Sequence, residues 1–241
     1  MSDTTRQRPE QQAPPVQRLR VRYAKRGRTR FTSHRDFSRA FERALRRADI
    51  PMAYSSGFNP HQRVSFANAS PTGAASEAEY LEIGLREVCD PDAVRVALDA
   101  ALPPGLDVLE VVEAEGPSLM DRLTASVWRI GVVGVPRPVM DAAVAALLAA
   151  ASREVHRLTK SGMRAFDARE AIISLAVVDD ATLELVSRHG APLVRPDDVV
   201  QALGAVEPAF APTVPPLLTR LLQGDWVDGR LVGPFGGTPD A

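Results

Sequence analysis

Apolar and basic residues alternate from Leu19 to Tyr23 (Leu, Arg, Val, Arg, Tyr), a period of two that predicts a half-buried β-strand. The segment Arg28-Thr29-Arg30-Phe31 is expected to extend this strand past Gly27. At His34 the period becomes helical. Phe37, Phe41, Ala44, Leu45 and Ala48 fall on one face, and Arg35, Arg39, Arg43 and Arg46 on the opposite side. This predicts a helix over His34–Ala48, with Ser33 as its N-cap, Asp36 as a capping-box-like partner and Pro51 limiting it. Val64–Phe66 and Glu79–Leu85 return to strand patterning. Asp92–Ala101 reads as a second helix stopped by Pro103-Pro104-Gly105, and Leu106–Val112 as a last strand. The order βαββαβ is the split arrangement of ferredoxin-like domains.

The order then repeats more weakly. Thr124–Val135 is expected as a strand and Val139–Ser152 as a helix. Val155–Leu158, Ala171–Val178 and Thr182–Val186 follow as strands and Pro196–Leu203 as a helix. Asp179-Asp180 reads as a hairpin turn, Lys160–Arg164 as a basic loop, and Leu217–Leu222 has helical spacing. The predicted fold class is therefore α+β, with tandem ferredoxin-like (βαββαβ) domains of which the second is divergent. The boundaries drawn are a disordered Pro/Gln-rich tail at 1–17, a basic domain at 18–115, a second domain at 119–232 and a flexible tail at 233–241.

Composition narrows the function classes. The chain has 241 residues, 45% of them hydrophobic and 24% charged, which is ordinary for a globular protein. The polar start carries no apolar signal segment, and no stretch approaches the roughly 20 apolar residues of a membrane span, so the cytoplasm is the expected location with no membrane partner. The one cysteine, Cys89, excludes an intrachain disulfide and any zinc ribbon or iron–sulfur cluster built from this chain alone. His34, His61, His156 and His189 lack the short spacing of a metal site, so neither a metal nor a cofactor is expected.

Charge is unevenly spread. Between Arg18 and Val64 there are 13 Lys or Arg against three acids, a local excess of 10 inside a chain of net charge −1. Arginine dominates this stretch, and its planar fork binds phosphate bidentately and stacks on bases. The segment Tyr54-Ser55-Ser56-Gly57-Phe58-Asn59-Pro60-His61 adds aromatic, amide and imidazole groups on a turn, and Pro71-Thr72-Gly73 reads as a second tight turn. A nucleic-acid surface would use Arg28, Arg30, Arg35, Arg39, Arg43, Arg46, Tyr54, Phe58, Asn59, His61 and Arg63, with arginines gripping phosphates and aromatic rings or arginine planes stacking on bases. A solvated arginine face, and aromatics that simply pack beneath their loop, are the plainer alternatives.

Several of these motifs carry a resemblance. Phe31-Thr32-Ser33-His34-Arg35-Asp36, Arg43-Ala44-Leu45-Arg46-Arg47-Ala48, the 54–61 loop, Pro71-Thr72-Gly73 and Glu77-Ala78-Glu79-Tyr80 occur in this order. The first half, from Arg18 to about Val112, resembles a bacterial family of radical-SAM-linked proteins of unknown function, whose domains are fused to or encoded beside radical-SAM proteins. The resemblance implies a radical-SAM protein as partner. It does not make this chain a radical-SAM enzyme, because that chemistry needs three closely spaced cysteines. The architecture is also similar to tandem ferredoxin-like RNA-processing proteins of CRISPR systems, an analogy of fold alone.

Three functions are open at this point. The first is an accessory, RNA-binding protein acting with a radical-SAM partner. The second is a protein-interaction module for that partner, with Glu77, Glu79 and Glu82 as an acidic contact surface. The third is a metal-independent ribonuclease with His34 and His61 as general base and acid. No phosphate loop, nucleophile elbow or dinucleotide motif supports a self-sufficient enzyme.

Overall fold

The structure is a computed structural model that describes residues 11–159 and 162–236. The parts of the expected tails at 1–10 and 237–241, and Lys160-Ser161 of the expected basic loop, lie outside the described residues. The first half runs β1 (Gln17–Lys25), α1 (His34–Arg47), β2 (Val64–Ala67), β3 (Ala75–Leu85), α2 (Pro91–Ala101) and β4 (Leu106–Glu113). The second runs β5 (Ala125–Gly131), α3 (Arg137–Ala149), β6 (Glu154–Thr159), β7 (Gly162–Asp167), β8 (Ile172–Asp179), β9 (Thr182–Arg188), α4 (Pro196–Val206), β10 (Leu217–Val227) and β11 (Arg230–Val232). The protein is thus a mixed α+β fold with four helices and one large, mostly antiparallel sheet among the described residues.

The sheet is continuous across both halves, in the order β4-β1-β3-β10-β5-β9-β8, with β2 added beside β3 and β11 beside β10. Each half contributes four antiparallel strands with two helices packed on them, β4-β1-β3-β2 in the first and β10-β5-β9-β8 in the second. They meet where β10 pairs in parallel with the start of β3, Thr219 opposite Ala75 and Arg220 opposite Ser76. The β6–β7 hairpin is a separate two-stranded sheet. It is tied to α4 through Arg157, whose guanidinium donates to Asp198 at 2.6 Å.

The apolar periodicity explains which faces close. Leu19 and Val21 of β1 and Leu81, Ile83 and Leu85 of β3 meet Phe37, Phe41 and Leu45 of α1 in one core. Tyr23 stacks flat on Phe37 with ring centroids 4.7 Å apart. Each such buried side chain contributes about 1.5–3 kcal/mol. A second core joins Trp128 and Ile130 of β5 to Met140 and Leu147 of α3 and Val199 and Leu203 of α4. A small third cluster, Ala67, Ala78, Tyr80, Leu119 and Leu123, sits under the connection between the halves.

Several local expectations are corrected. Gly27–Phe31 is a short 3-10 turn, not a strand extension. Gly27 takes φ +55°, which reverses the chain direction, and the turn is held by Arg26 N donating to Gly105 O. Leu217–Leu222 is strand, the first part of β10, because β5 and β3 supply its backbone partners. Gly162–Arg164 belongs to β7, which pairs antiparallel with β6, rather than to a loop. The connecting ends are also anchored. Val16 N donates to Leu85 O, and Gln17 begins β1. Phe235 stands edge-on to Tyr80 at 5.3 Å, and Arg122 donates to Pro234 O at 2.6 Å.

Candidate functional site

Two polar features lie on the first half. One is the exposed face of α1; the other is a line of buried charged groups between α1 and the junction with β10.

α1 starts where it does because Ser33 Oγ accepts from Asp36 N at 3.2 Å and donates to the Asp36 carboxylate at 2.7 Å. Burial of Phe37, Phe41, Ala44 and Leu45 then fixes the rotation of the helix and turns Arg35, Arg39, Arg43 and Arg46 outward. Arg46 pairs with Glu42 at 3.5 Å. Arg35, Arg39 and Arg43 have no acidic partner among the described residues, nor does exposed Arg28. Other basic residues of this half are already engaged. Arg18 and Arg20 pair with Glu82, and Arg26 with Glu77 and Asp107. Of the three acids read as a contact surface, Glu82 pairs with Arg18 and Arg20, Glu77 pairs with Arg26, and Glu79 is buried.

The 54–63 loop is a tight arm. Tyr54 bridges Gln62, Ser55 N donates to His61 O at 2.8 Å, and His61 N donates to Ser55 Oγ at 3.0 Å. Gly57, at φ +132°, occupies a backbone region that residues with a side chain rarely adopt. Arg63 donates to Tyr54 O at 3.1 Å. The arm leaves Phe58 73% exposed, with Asn59 and His61 also open to solvent and Tyr54 partly so. The aromatics do not pack beneath their loop. Phe31, 67% exposed, lies ahead of α1 with the Arg30 guanidinium 5.4 Å from its ring centroid.

His34 and His61 are not brought into a catalytic pair. His34, at the exposed start of α1, stands edge-on to Phe66 at 5.0 Å, whereas His61 belongs to the 54–63 arm, and no hydrogen bond joins them.

The buried line was not visible in the sequence. Glu79 of β3 and Arg220 of β10 form an ion pair with side chains 2% and 3% exposed. Arg220 also donates to Gln223 at 3.3 Å and lies 5.3 Å from the Trp128 ring centroid. The second carboxylate oxygen of Glu79 accepts from Ser70 N at 3.0 Å. Burial alone would raise the Glu79 carboxyl; Arg220, with hydrogen bonds from Ser76 and the Ser70 amide, overrides it and holds the group below its usual range. Lys25, at the end of β1, is 5% exposed. Among the described residues its ammonium has no hydrogen-bond or ion-pair partner. Burial pushes its pKa down, against the attraction of Glu79 and helped by Arg220 and Arg30.

Two cavities flank the 68–71 strap. One, of about 20 Å³, is lined by Lys25, Thr32, His34, Ser70 and Glu79. The other, of about 80 Å³, opens between the halves against Asn68, Trp128, His189, Arg195 and Arg220. In the second, His189 Nδ1 lies 2.6 Å from Leu123 O, to which it donates, so Nε2 accepts from Ser126 Oγ at 2.8 Å. Burial keeps His189 neutral, with its pKa down at about 4.

The resembling motifs gather around the smaller cavity. Gly73 N donates to Arg30 O at 2.7 Å and Arg30 Nε donates back to Gly73 O, so the Pro71-Thr72-Gly73 turn is clipped to the segment leading into Thr32 and His34. Gly73 sits at φ +97°, a conformation that favours glycine. Glu79 of the Glu77–Tyr80 motif completes the wall. No cluster of three or more His, Cys, Asp or Glu suited to a metal occurs among the described residues. No described helix is long and apolar enough to cross a membrane.

Residues 18–196 match a family described as uncharacterized protein conserved in bacteria (DUF2344), and the chain belongs to it. A comparison with curated proteins gives no match.

Proposed function

We propose that this member of the DUF2344 family is a cytoplasmic accessory protein that binds RNA on the first half and works beside a radical-SAM protein. The observation that carries the RNA reading is the outward face of α1. Arg35, Arg39 and Arg43 stand there with no acidic partner among the described residues, while the 54–63 arm and the turn before α1 present Phe58 and Phe31 to solvent. Unpaired guanidinium groups supply phosphate contacts, and exposed aromatic faces supply sequence-tolerant base stacking. The radical-SAM partner rests on the family resemblance and on the single cysteine, which leaves this chain unable to hold such a cluster by itself. In this reading the two four-stranded orders are two ferredoxin-like units joined edge to edge, the second carrying the β6–β7 hairpin as an insertion.

The test is fluorescence anisotropy with single-stranded and hairpin RNA across a salt series. Wild type is compared with a variant carrying Arg35→Glu, Arg39→Glu, Arg43→Glu and Arg46→Glu, its fold checked by circular dichroism. Submicromolar binding is expected, with a log–log salt slope that flattens by about 3 in the variant, at roughly 0.7 per lost single-strand phosphate contact. Equal and negligible binding by both proteins refutes the RNA reading. The exposure of Phe31 and Phe58 would then favour the second reading, a module that docks on the radical-SAM protein through apolar contacts, with copurification that survives nuclease treatment.

A further inference from the structure

We propose that Lys25, with Ser70, His34 and the start of α1, forms a site for a terminal phosphoryl group, a phosphate monoester with a free end.

A buried ammonium without a counter-ion is costly, and a folded protein retains one where a ligand supplies the missing charge. Lys25 is such a group: the residue is 5% exposed, lines the cavity of about 20 Å³ and, among the described residues, makes no hydrogen bond or ion pair, Glu79 acting on it only at longer range. Ser70 Oγ lines the same cavity and is buried without a hydrogen-bond partner among the described residues. Two unsatisfied donors thus face one space, which has room for roughly one water-sized group. His34, the first residue of α1, and Thr32 stand on its wall. The helix adds the partial positive charge of its N-terminus, as it does in known anion sites.

The sign of the field also fits. Glu79 lies in the wall, but both its oxygens are occupied, one by Arg220 and the other by Ser70 N. With Glu79 committed to Arg220 and the Asp36 carboxylate to Ser33, the Lys25 ammonium is the charged group of the wall left to meet an anionic monoester. Size selects the terminal group. An internal phosphodiester continues on both sides and cannot reach a lysine this deeply buried, whereas a chain end can insert an oxygen and leave its remainder over the exposed start of α1. The ligand is therefore the phosphorylated end of an RNA or a small phosphomonoester such as a mononucleotide; only the RNA source rests on the function proposed above.

The experiment uses the full chain as wild type, Lys25→Met and Ser70→Ala, each checked by circular dichroism. Adenosine 5′-monophosphate is compared with adenosine by thermal shift, and a 5′-phosphorylated RNA decamer with its 5′-hydroxyl twin by anisotropy. At least tenfold tighter binding of the phosphorylated member is expected in wild type, abolished by Lys25→Met and weakened several-fold by Ser70→Ala. Preference for phosphorylated RNA alone assigns the site to an RNA end. A Lys25-dependent shift by the mononucleotide with no RNA binding keeps the site and overturns the RNA reading. Equal binding of both RNAs by wild type and Lys25→Met, with no shift by the mononucleotide, overturns the site and leaves the RNA reading standing. No response to any of the four probes overturns both.

Discussion

Replacing Glu79 by Gln removes the only carboxylate in contact with Arg220 among the described residues. It leaves two buried cations, Arg220 and Lys25, facing the neutral amide where β3 meets β10. Breaking a buried pair by deleting one partner costs about 3–5 kcal/mol. For a chain of this size, each kcal/mol lowers Tm by about 2–4 °C, so a drop on the order of 10 °C is expected. The reciprocal change, Arg220→Met, is expected to cost less. It leaves Glu79 as the buried charge, and Lys25 lies near enough for their attraction to register on its pKa. The double variant, Glu79→Gln with Arg220→Met, buries no unpaired charge from this pair and should recover to within about 1–2 kcal/mol of wild type. Urea unfolding followed by far-UV circular dichroism, run on all four proteins, gives the cycle. A loss under about 1 kcal/mol for Glu79→Gln, or a larger loss for Arg220→Met than for Glu79→Gln, would refute the assignment of this pair as a buried charge balance.

Other outcomes follow from neighbouring groups. His189 is held neutral by burial, its pKa at about 4 against 6.5 for the free side chain. Its contribution is therefore complete above pH 6.5 and is lost as pH falls toward 4; wild type should lose about 2 kcal/mol between pH 7 and 4.5 by urea unfolding, and His189→Gln should lose correspondingly less. Lys25→Met removes a desolvated ammonium that has no hydrogen-bond or ion-pair partner among the described residues, and keeps an unbranched side chain one atom shorter. Its Tm should be unchanged or higher, and a clear drop would mean that Lys25 serves the fold rather than a ligand. Ser33→Ala removes the N-cap of α1 and should cost about 1 kcal/mol in the same assay.

Much of the local architecture is a property of short stretches and is legible in them. The spacing of Phe37, Phe41, Ala44 and Leu45 determines that α1 is a helix, which of its faces is buried and hence that Arg35, Arg39 and Arg43 point to solvent. Ser33 sets where it begins, and the alternation in β1 and β3 sets which residues face the core. The α+β class follows from such segments because burial of one face requires no knowledge of the partner. Tertiary structure decided what depends on distant neighbours. Leu217–Val227 carries leucines at helical spacing, yet it is a strand because β5 and β3 offer it backbone partners. Glu79 reads as one solvated acid among three until Arg220, 141 residues later, is brought beside it. Lys25 is only one of 13 basic residues between Arg18 and Val64 until the fold buries it in a cavity walled by Ser70 and the start of α1. A charge is buried or free according to what folds across it, and that information is nowhere in the few residues on either side.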